Sequence, residues 1–175
     1  RIGLNLQGIY YSKIYNNLIY NNGLSGGGNG MTFFLGDAAT GCNDVKVYNN
    51  TVIVPSASQW RILAIDSDSL FIKNNILLSF YAKGYNIDIS PRYRVNDKFT
   101  LDQGSSFINF AAWQKLGHDA HSILVKDNAA VFNNLMANDY HLAVNSVAIN
   151  KGTSEVATIV NQDLEKNARP IGGQF

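Results

Sequence analysis

The chain has 175 residues, of which 46% are hydrophobic and 15% are charged, and its formal net charge is +1. A soluble chain of this size can bury one continuous core, so we predict a single domain over residues 1–175 with no transmembrane helix. Its 14 basic and 13 acidic residues are interspersed, which argues against nucleic acid or a membrane surface as a partner, because phosphate binding requires clustered Lys and Arg.

Three asparagine pairs divide the first half of the chain. The pairs Asn16-Asn17, Asn49-Asn50 and Asn74-Asn75 recur after 33 and 25 residues (49 − 16 and 74 − 49), and each stands between two short apolar stretches. Asn adopts the left-handed backbone conformation more readily than most residues, so each pair predicts a sharp turn between two strands. The spacing is typical of one turn of a solenoid.

Period-two matching between the apolar stretches predicts three strands in each coil and about four coils. The strands are expected around 3–7, 31–35, 61–65 and 85–89 in a first sheet, around 11–15, 44–48 and 69–73 in a second, and around 18–21, 51–54 and 76–80 in a third. Aligning Asn17 with Asn75 places Leu4 and Leu6 at the levels of Ile62 and Ala64. The sequence therefore predicts an all-β, three-sheet solenoid with regular coils over 1–90.

The repeat fades after Pro91. Residues 109–117 predict a short helix with Asn109 as N-cap, Gly117 as the C-terminal stop, and Phe110 and Trp113 on one face. From Val125 onward, strand-like pieces alternate with turn residues. We predict that 91–175 hold this helix, a last partial coil and a C-terminal covering segment, since the open end of a solenoid core must be closed.

Four phrases in this order resemble one known superfamily. They are the Asn-Asn coils, the segment 113–122 (Trp-Gln-Lys-Leu-Gly-His-Asp-Ala-His-Ser), the phrase from Asp139 to Gly152, and the closing stretch from Asp163 to Gly172. The chain resembles the C-terminal portion of bacterial right-handed parallel β-helix proteins, the pectin-lyase-like superfamily. The resemblance implies a right-handed parallel β-helix and a secreted, periplasmic or cell-surface location in a bacterium.

Both ends of the sequence indicate a fragment of a longer chain. The first residues, from Arg1 to Leu6, are already strand-like, and the Ile-Gly-Ala-Tyr-Glu-like ending of the family is absent. Upstream coils could then carry an active site. If the chain starts at Arg1, an uncapped coil containing Leu4, Leu6 and Ile14 is expected to self-associate end to end.

The outer face of the second sheet is the predicted ligand-binding surface. In the lyases of this superfamily, substrate lies along the outer face of the sheets, and a base removes a proton beside a uronate carboxylate that calcium often neutralises. Equivalent side chains of stacked coils lie about 4.8 Å apart. The predicted substrate-binding residues lie on two adjacent levels. Lys13 and Lys46 share the first level, and Tyr15, Tyr48 and Lys73 share the second. Alternatively, these ladders only stabilise the sheet.

The first sheet offers a poorer surface, since its predicted outward positions are Asn5, Thr32 or Phe34, Leu63 and Asp88. Arg61 and Asp66 flank one of its strands and are the candidate catalytic pair. Asp66 and Asp68 are candidate calcium ligands, but a third acidic ligand and the spaced Gly of a calcium loop are missing, which favours a role in a turn; no other cofactor is expected.

Two polar motifs have both a chemical and a structural interpretation. His118, Asp119 and His121 could form a triad or metal site, or Asp119 and Ser122 could fix a loop through bonds to the backbone. The residues Asn17, Asn50 and Asn75 are expected to form a hydrogen-bonded ladder between coils.

Two functions follow. The first is a secreted bacterial β-helix protein that binds an acidic polysaccharide and, if it is an enzyme, cleaves it by lyase-type β-elimination. The alternative is a non-catalytic structural or adhesive solenoid. Glu155 and Glu165 are the only glutamates, so a glycosidase would have to use aspartates.

Overall fold

The computed structural model describes residues 2–22, 29–34, 42–54, 61–65, 70–79, 87–89, 107–115, 117–126 and 130–170. The chain runs three times through the same order of strands. The first pass is β1 (Leu4–Gln7), β2 (Lys13–Tyr15) and β3 (Leu18–Ile19); the second is β4 (Asn29–Phe34), β5 (Val45–Tyr48) and β6 (Thr51–Val54); the third is β7 (Arg61–Ile65), β8 (Leu70–Lys73) and β9 (Ile76–Ser79). There follow β10 (Ile87–Ile89), β11 (Phe107–Ile108), helix α1 (Phe110–Lys115), β12 (Ile123–Val125), β13 (Phe132–Asn134) and β14 (Asp139–Leu142).

Each pass contributes one strand to each of three sheets. The first sheet has the order β1-β4-β7-β10-β11, the second β2-β5-β8, and the third β3-β6-β9-β12, while β13 and β14 form a separate hairpin. Strands of successive passes pair in parallel, and β11 joins the first sheet antiparallel. The predicted all-β class is confirmed for the residues that the structure describes, which include one short α-helix.

The register of the second sheet is the one expected from the Asn alignment, whereas that of the first sheet differs by one residue. Lys13, Lys46 and Phe71 share one level. In the first sheet, Leu4 is level with Met31 and Leu63 rather than with Ile62. Asn5 and Thr32 are therefore level with Ala64 and Asp88, and the prediction that Leu63 shares their level is wrong.

The main apolar cluster of the described residues draws on all three sheets. Each sheet contributes buried side chains, among them Phe33 from the first, Val47 from the second and Leu77 from the third. The predicted helix is confirmed: the Asn109 side chain accepts a hydrogen bond from the Ala112 amide at 2.9 Å. Phe110 and Trp113 of α1 pack into this same core, so the helix buries its apolar face against the strands.

The first asparagine of each pair turns the backbone. Asn16, Asn49 and Asn74 have φ angles of 56°, 52° and 57°. These lie in the left-handed region, which Asn tolerates because its short amide bonds locally. The chain can therefore pass from the second sheet to the third without a longer loop.

The second asparagine of each pair links the passes through its side chain. The Asn17 backbone N–H and side-chain Nδ2 donate to Asn50 Oδ1 at 3.1 and 2.8 Å. The same groups of Asn50 donate to Asn75 Oδ1 at 2.9 and 3.1 Å. The Asn75 N–H donates to Ser122 Oγ at 2.7 Å, so Ser122 takes the asparagine's place in the next pass. We call Asn17, Asn50, Asn75 and Ser122 the ladder.

The ladder also bonds to the second sheet. Asn50 Nδ2 donates to the Ile14 carbonyl and Asn75 Nδ2 to the Val47 carbonyl, both at 3.0 Å. Asn50 and Asn75 are buried, where an unpaired amide would be costly. The ladder therefore both satisfies buried polar groups and holds neighbouring passes in register.

The C-terminal part of the chain covers the outer side of the third sheet. Val131 and Phe132 pack with Ile53 of β6 and Leu78 of β9 in a second apolar cluster. The ring of Tyr140 in the hairpin contacts that of Tyr20 at a tilt of 51°, with ring centroids 4.7 Å apart. The third sheet is thus buried on both faces at these positions.

Replacing Asn50 by Ala should lower the free energy of unfolding by about 2 kcal/mol. The change leaves the Ile14 carbonyl and the Asn17 amide without their partner in the ladder, and unsatisfied buried groups cost roughly 1–3 kcal/mol. Asn17→Ala, at the exposed end of the ladder, is the control and should cost clearly less. Urea unfolding measures both; equal values for the two variants would contradict a stabilising role for the ladder.

Candidate functional site

The outer face of the second sheet presents the predicted binding residues on two levels. On the first level, Lys13 of β2 lies beside Lys46 of β5 and Phe71 of β8. Lys46 Nζ bonds to Asp44 Oδ1 at 3.2 Å and lies 5.7 Å from the centre of the Phe71 ring. Phe71 is 45% exposed. This level therefore combines two ammonium groups with an accessible aromatic ring.

The second level holds Tyr15, Tyr48 and Lys73, and its two tyrosines differ sharply. Tyr15 is 43% exposed, whereas Tyr48 is 7% exposed. Tyr48 packs against Val156 and Val160 of the C-terminal segment, and burial raises the pKa of its hydroxyl above the ordinary value of 10.0. Tyr48 is consequently a covered ring in this structure, contrary to its expected place on an open surface.

Lys73, on the same level, is also occupied by the C-terminal segment. Its ammonium group forms an ion pair with Glu155, and this ion pair lowers the pKa of the Glu155 carboxyl. Of the five predicted binding residues, the structure places Tyr48 and Lys73 against this segment, whereas Lys13 and Tyr15 are exposed and Lys46 pairs with Asp44.

We call residues 153–169 the strap. Hydrogen bonds join this segment to Asn16 and Asn74, the first and the last of the three asparagines that turn the backbone. Asn74 Nδ2 donates to the Thr153 carbonyl at 2.9 Å, and the Thr153 N–H donates to Asn74 Oδ1 at 2.8 Å. At the other end, Asn16 Nδ2 donates to the Gln162 carbonyl at 2.6 Å, and Arg169 donates to Asn16 Oδ1 at 3.0 Å. The strap therefore runs across the levels of all three passes.

A charged cluster that sequence reasoning missed ties the far part of the strap to the hairpin. His141 bonds through Nδ1 to Asp139 at 2.5 Å and through Nε2 to Glu165 at 2.9 Å. The two carboxylates raise the pKa of His141 to about 9, and the bonds from Asn133 and His141 lower that of Asp139 to about 2. The pattern Asp-x-His at the start of the phrase 139–152 is the only local sequence signal for this cluster, because Glu165 lies 24 residues after His141.

The candidate catalytic pair Arg61 and Asp66 and the candidate calcium ligands Asp66 and Asp68 stay predictions. Asp66 and Asp68 lie outside the described residues, and Arg61 begins β7, level with Asn29. In the described part of the chain, no group of three or more His, Cys, Asp or Glu side chains could hold a metal ion. Nor does any helix in that part have the length and apolar character needed to cross a membrane.

The motif 118–122 closes the ladder. Ser122 accepts the Asn75 amide, and Gln114 of α1 donates to the carbonyls of Asp119 and Ser122 at 3.0 and 3.1 Å. His118 stacks on Trp113 with ring centroids 4.3 Å apart, and burial lowers its pKa. The loop-fixing interpretation fits Ser122, while Asp119 contributes its backbone to this arrangement.

The carboxyl group of Asp119 is buried without a hydrogen bond. Asp119 is 2% exposed, and neither of its carboxyl oxygens has a hydrogen-bond partner among the residues that the structure describes. Burial raises its pKa to about 7, although the Ser122 hydroxyl and Asn75 amide lie close enough to lower it in part. Ionised Asp119 therefore disfavours the folded state.

Comparisons with protein-family models, with curated proteins and with solved structures found no match. The resemblance to the pectin-lyase-like superfamily accordingly stays a prediction from the residues.

Asp119→Asn should stabilise the protein at pH 8 and have little effect at pH 4. The folded-state pKa is raised from 3.8 to about 7, so the wild type loses stability as pH rises through this interval. At ~1.4 kcal/mol per pKa unit the difference between the two pH values is roughly 2–4 kcal/mol. Asn also tolerates the φ of 54° at this position.

Urea unfolding of wild type and variant across this pH range measures the difference. Asp139→Asn is the control of opposite sign, because the pKa of Asp139 is lowered to about 2. A pH-independent difference between wild type and Asp119→Asn would contradict an ionising buried carboxyl.

Proposed function

We propose that this protein is a right-handed parallel β-helix that binds an acidic polysaccharide on the outer face of its second sheet. The proposed closure into a helix is supported by the cyclic strand order and by one core shared by all three sheets. Right-handedness is the usual hand of crossover connections between parallel strands. Such a ligand is met outside the bacterial cytoplasm, which is the location we propose.

The pairing of Lys13 with Lys46 carries this proposal. Like charges on directly neighbouring strands repel, and Asp44 balances only Lys46 among the described contacts. An anionic ligand lying across β2 and β5 would relieve the remaining repulsion. Carboxylates along a polysaccharide can meet ammonium groups carried by neighbouring strands, which are about 4.8 Å apart.

The neighbouring rings favour a sugar over a simple anion. Phe71 and Tyr15 are both nearly half exposed beside the two lysines. Aromatic faces bind the apolar face of a sugar ring, and a tyrosine adds a polar hydroxyl. The combination matches a uronate, which has an apolar ring face and a carboxylate.

The proposal is limited to binding. A β-elimination step, calcium binding at Asp66 and Asp68, and catalysis by Arg61 and Asp66 remain predictions, as does end-to-end association through β1, β2 and β3. The alternative of a structural or adhesive solenoid is favoured by the strap, which covers Tyr48 and pairs with Lys73.

A Lys13→Ala, Lys46→Ala double variant should bind pectate and alginate more weakly than the wild type does. Exposed ion pairs contribute roughly 0.5–1 kcal/mol each, so the two together predict a five- to thirtyfold loss. Binding should also weaken with added salt. Calorimetric titration at low and high salt measures both effects, with a neutral glucan as the negative ligand.

The control is Lys115→Ala, Lys126→Ala, which removes the same charge from exposed positions away from the second sheet. Equal affinity of the two double variants for pectate would reject the outer face as the binding site. It would favour the alternative of a structural or adhesive solenoid. Absorbance near 235 nm, followed in the same samples, reports unsaturated products if the chain cleaves pectate.

A further inference from the structure

The turn asparagines form a second polar row next to the proposed binding face. Asn16, Asn49 and Asn74 each directly follow the last residue of a strand of the second sheet, at the same left-handed turn. The amides of Asn16 and Asn74 bind backbone groups of the strap. The side chains of Asn16 and Asn74 thus bind the backbone of a polypeptide segment, here the protein's own.

The strap leaves the middle of this row unsatisfied. Asn49 Oδ1 is buried and has no hydrogen-bond donor among the described residues. An orphaned buried acceptor costs free energy, so the strap is an imperfect occupant at this level. A ligand with hydroxyl donors could supply the missing bond.

The chemistry of the strap at Tyr48 and Lys73 matches that of an acidic sugar. The Glu155 carboxylate pairs with Lys73, where a uronate carboxylate could bind. Val156 and Val160 lie on Tyr48, where the apolar face of a sugar ring could pack. Polar backbone groups of the strap meet Asn74 and Asn16, where sugar hydroxyls could donate and accept.

We propose that Asn16, Asn49, Asn74, Tyr48 and Lys73 form a second polysaccharide subsite, which the strap occupies in place of the ligand and from which an acidic polysaccharide displaces it. This inference rests on the proposed function, because it takes the same class of ligand. The subsite adjoins Lys13 and Lys46, so a single glycan chain can cover both.

Loosening the strap should strengthen glycan binding. A Glu155→Gln, Val160→Ser variant removes the ion pair and replaces an apolar contact of Tyr48 by a smaller, polar side chain. We expect Lys73 to be acetylated several-fold faster than in the wild type, measured by mass spectrometry without glycan, and pectate to bind roughly three- to tenfold more tightly. Adding Lys73→Ala should return the affinity to the wild-type value.

Met136→Lys is the control. It makes the net charge more positive by one unit, as Glu155→Gln does, at an exposed position of the hairpin, and it should change neither Lys73 acetylation nor affinity. If Val160→Ser prevents folding, Glu155→Gln alone carries the test, with the same directions and smaller effects.

The outcomes separate this inference from the proposed function. Faster Lys73 acetylation with unchanged affinity, while the Lys13→Ala, Lys46→Ala variant still loses binding, would overturn the second subsite alone. Absence of pectate binding in every variant would reject the proposed function and this subsite together. Unchanged Lys73 acetylation in a folded loosened variant would show that the strap does not shield the subsite.

Discussion

The structure depends on how two adjacent asparagines divide one task. The first residue of each pair takes the left-handed conformation that turns the chain out of the second sheet. The second donates to the ladder residue of the next pass, and at Asn50 and Asn75 also to a strand carbonyl of the preceding pass. Neither residue could do both, because the turning residue points its side chain outward, toward the strap. Register and turn are thereby set at one corner, and the three sheets align from there.

Residues close to that corner could be predicted from the sequence, and distant ones could not. The strands of the second sheet end directly before the asparagine pairs, so residues at the same distance of one to four positions before each pair share a level. The first sheet lies beyond a connection of variable length: Leu6 to Lys13 spans seven positions, but the equivalent Ile65 to Phe71 spans six. One missing residue reverses the faces of a strand, so the alignment misplaced Leu63.

The covering of the outer face could not be predicted either. Tyr15 and Tyr48 occupy equivalent positions in the repeat, yet only Tyr48 is buried. The difference comes from Val156 and Val160, more than a hundred residues further along the chain, and no period or local motif links such distant segments. The Lys73–Glu155 ion pair and the role of Asn74 as a ligand of the strap arise in the same way.

A tethered strap needs only weak contacts to stay bound. Its effective concentration at the row of asparagines is of millimolar order, as for other short intramolecular connections. Its exposed ion pair and few polar bonds are individually modest, and together they suffice under that concentration. A monosaccharide of millimolar affinity would compete poorly with such a segment. A polysaccharide that is already bound at Lys13 and Lys46 is itself tethered, so its effective concentration at the second subsite is comparable with that of the strap. The ligand would then occupy the two lysines first and the second subsite afterwards.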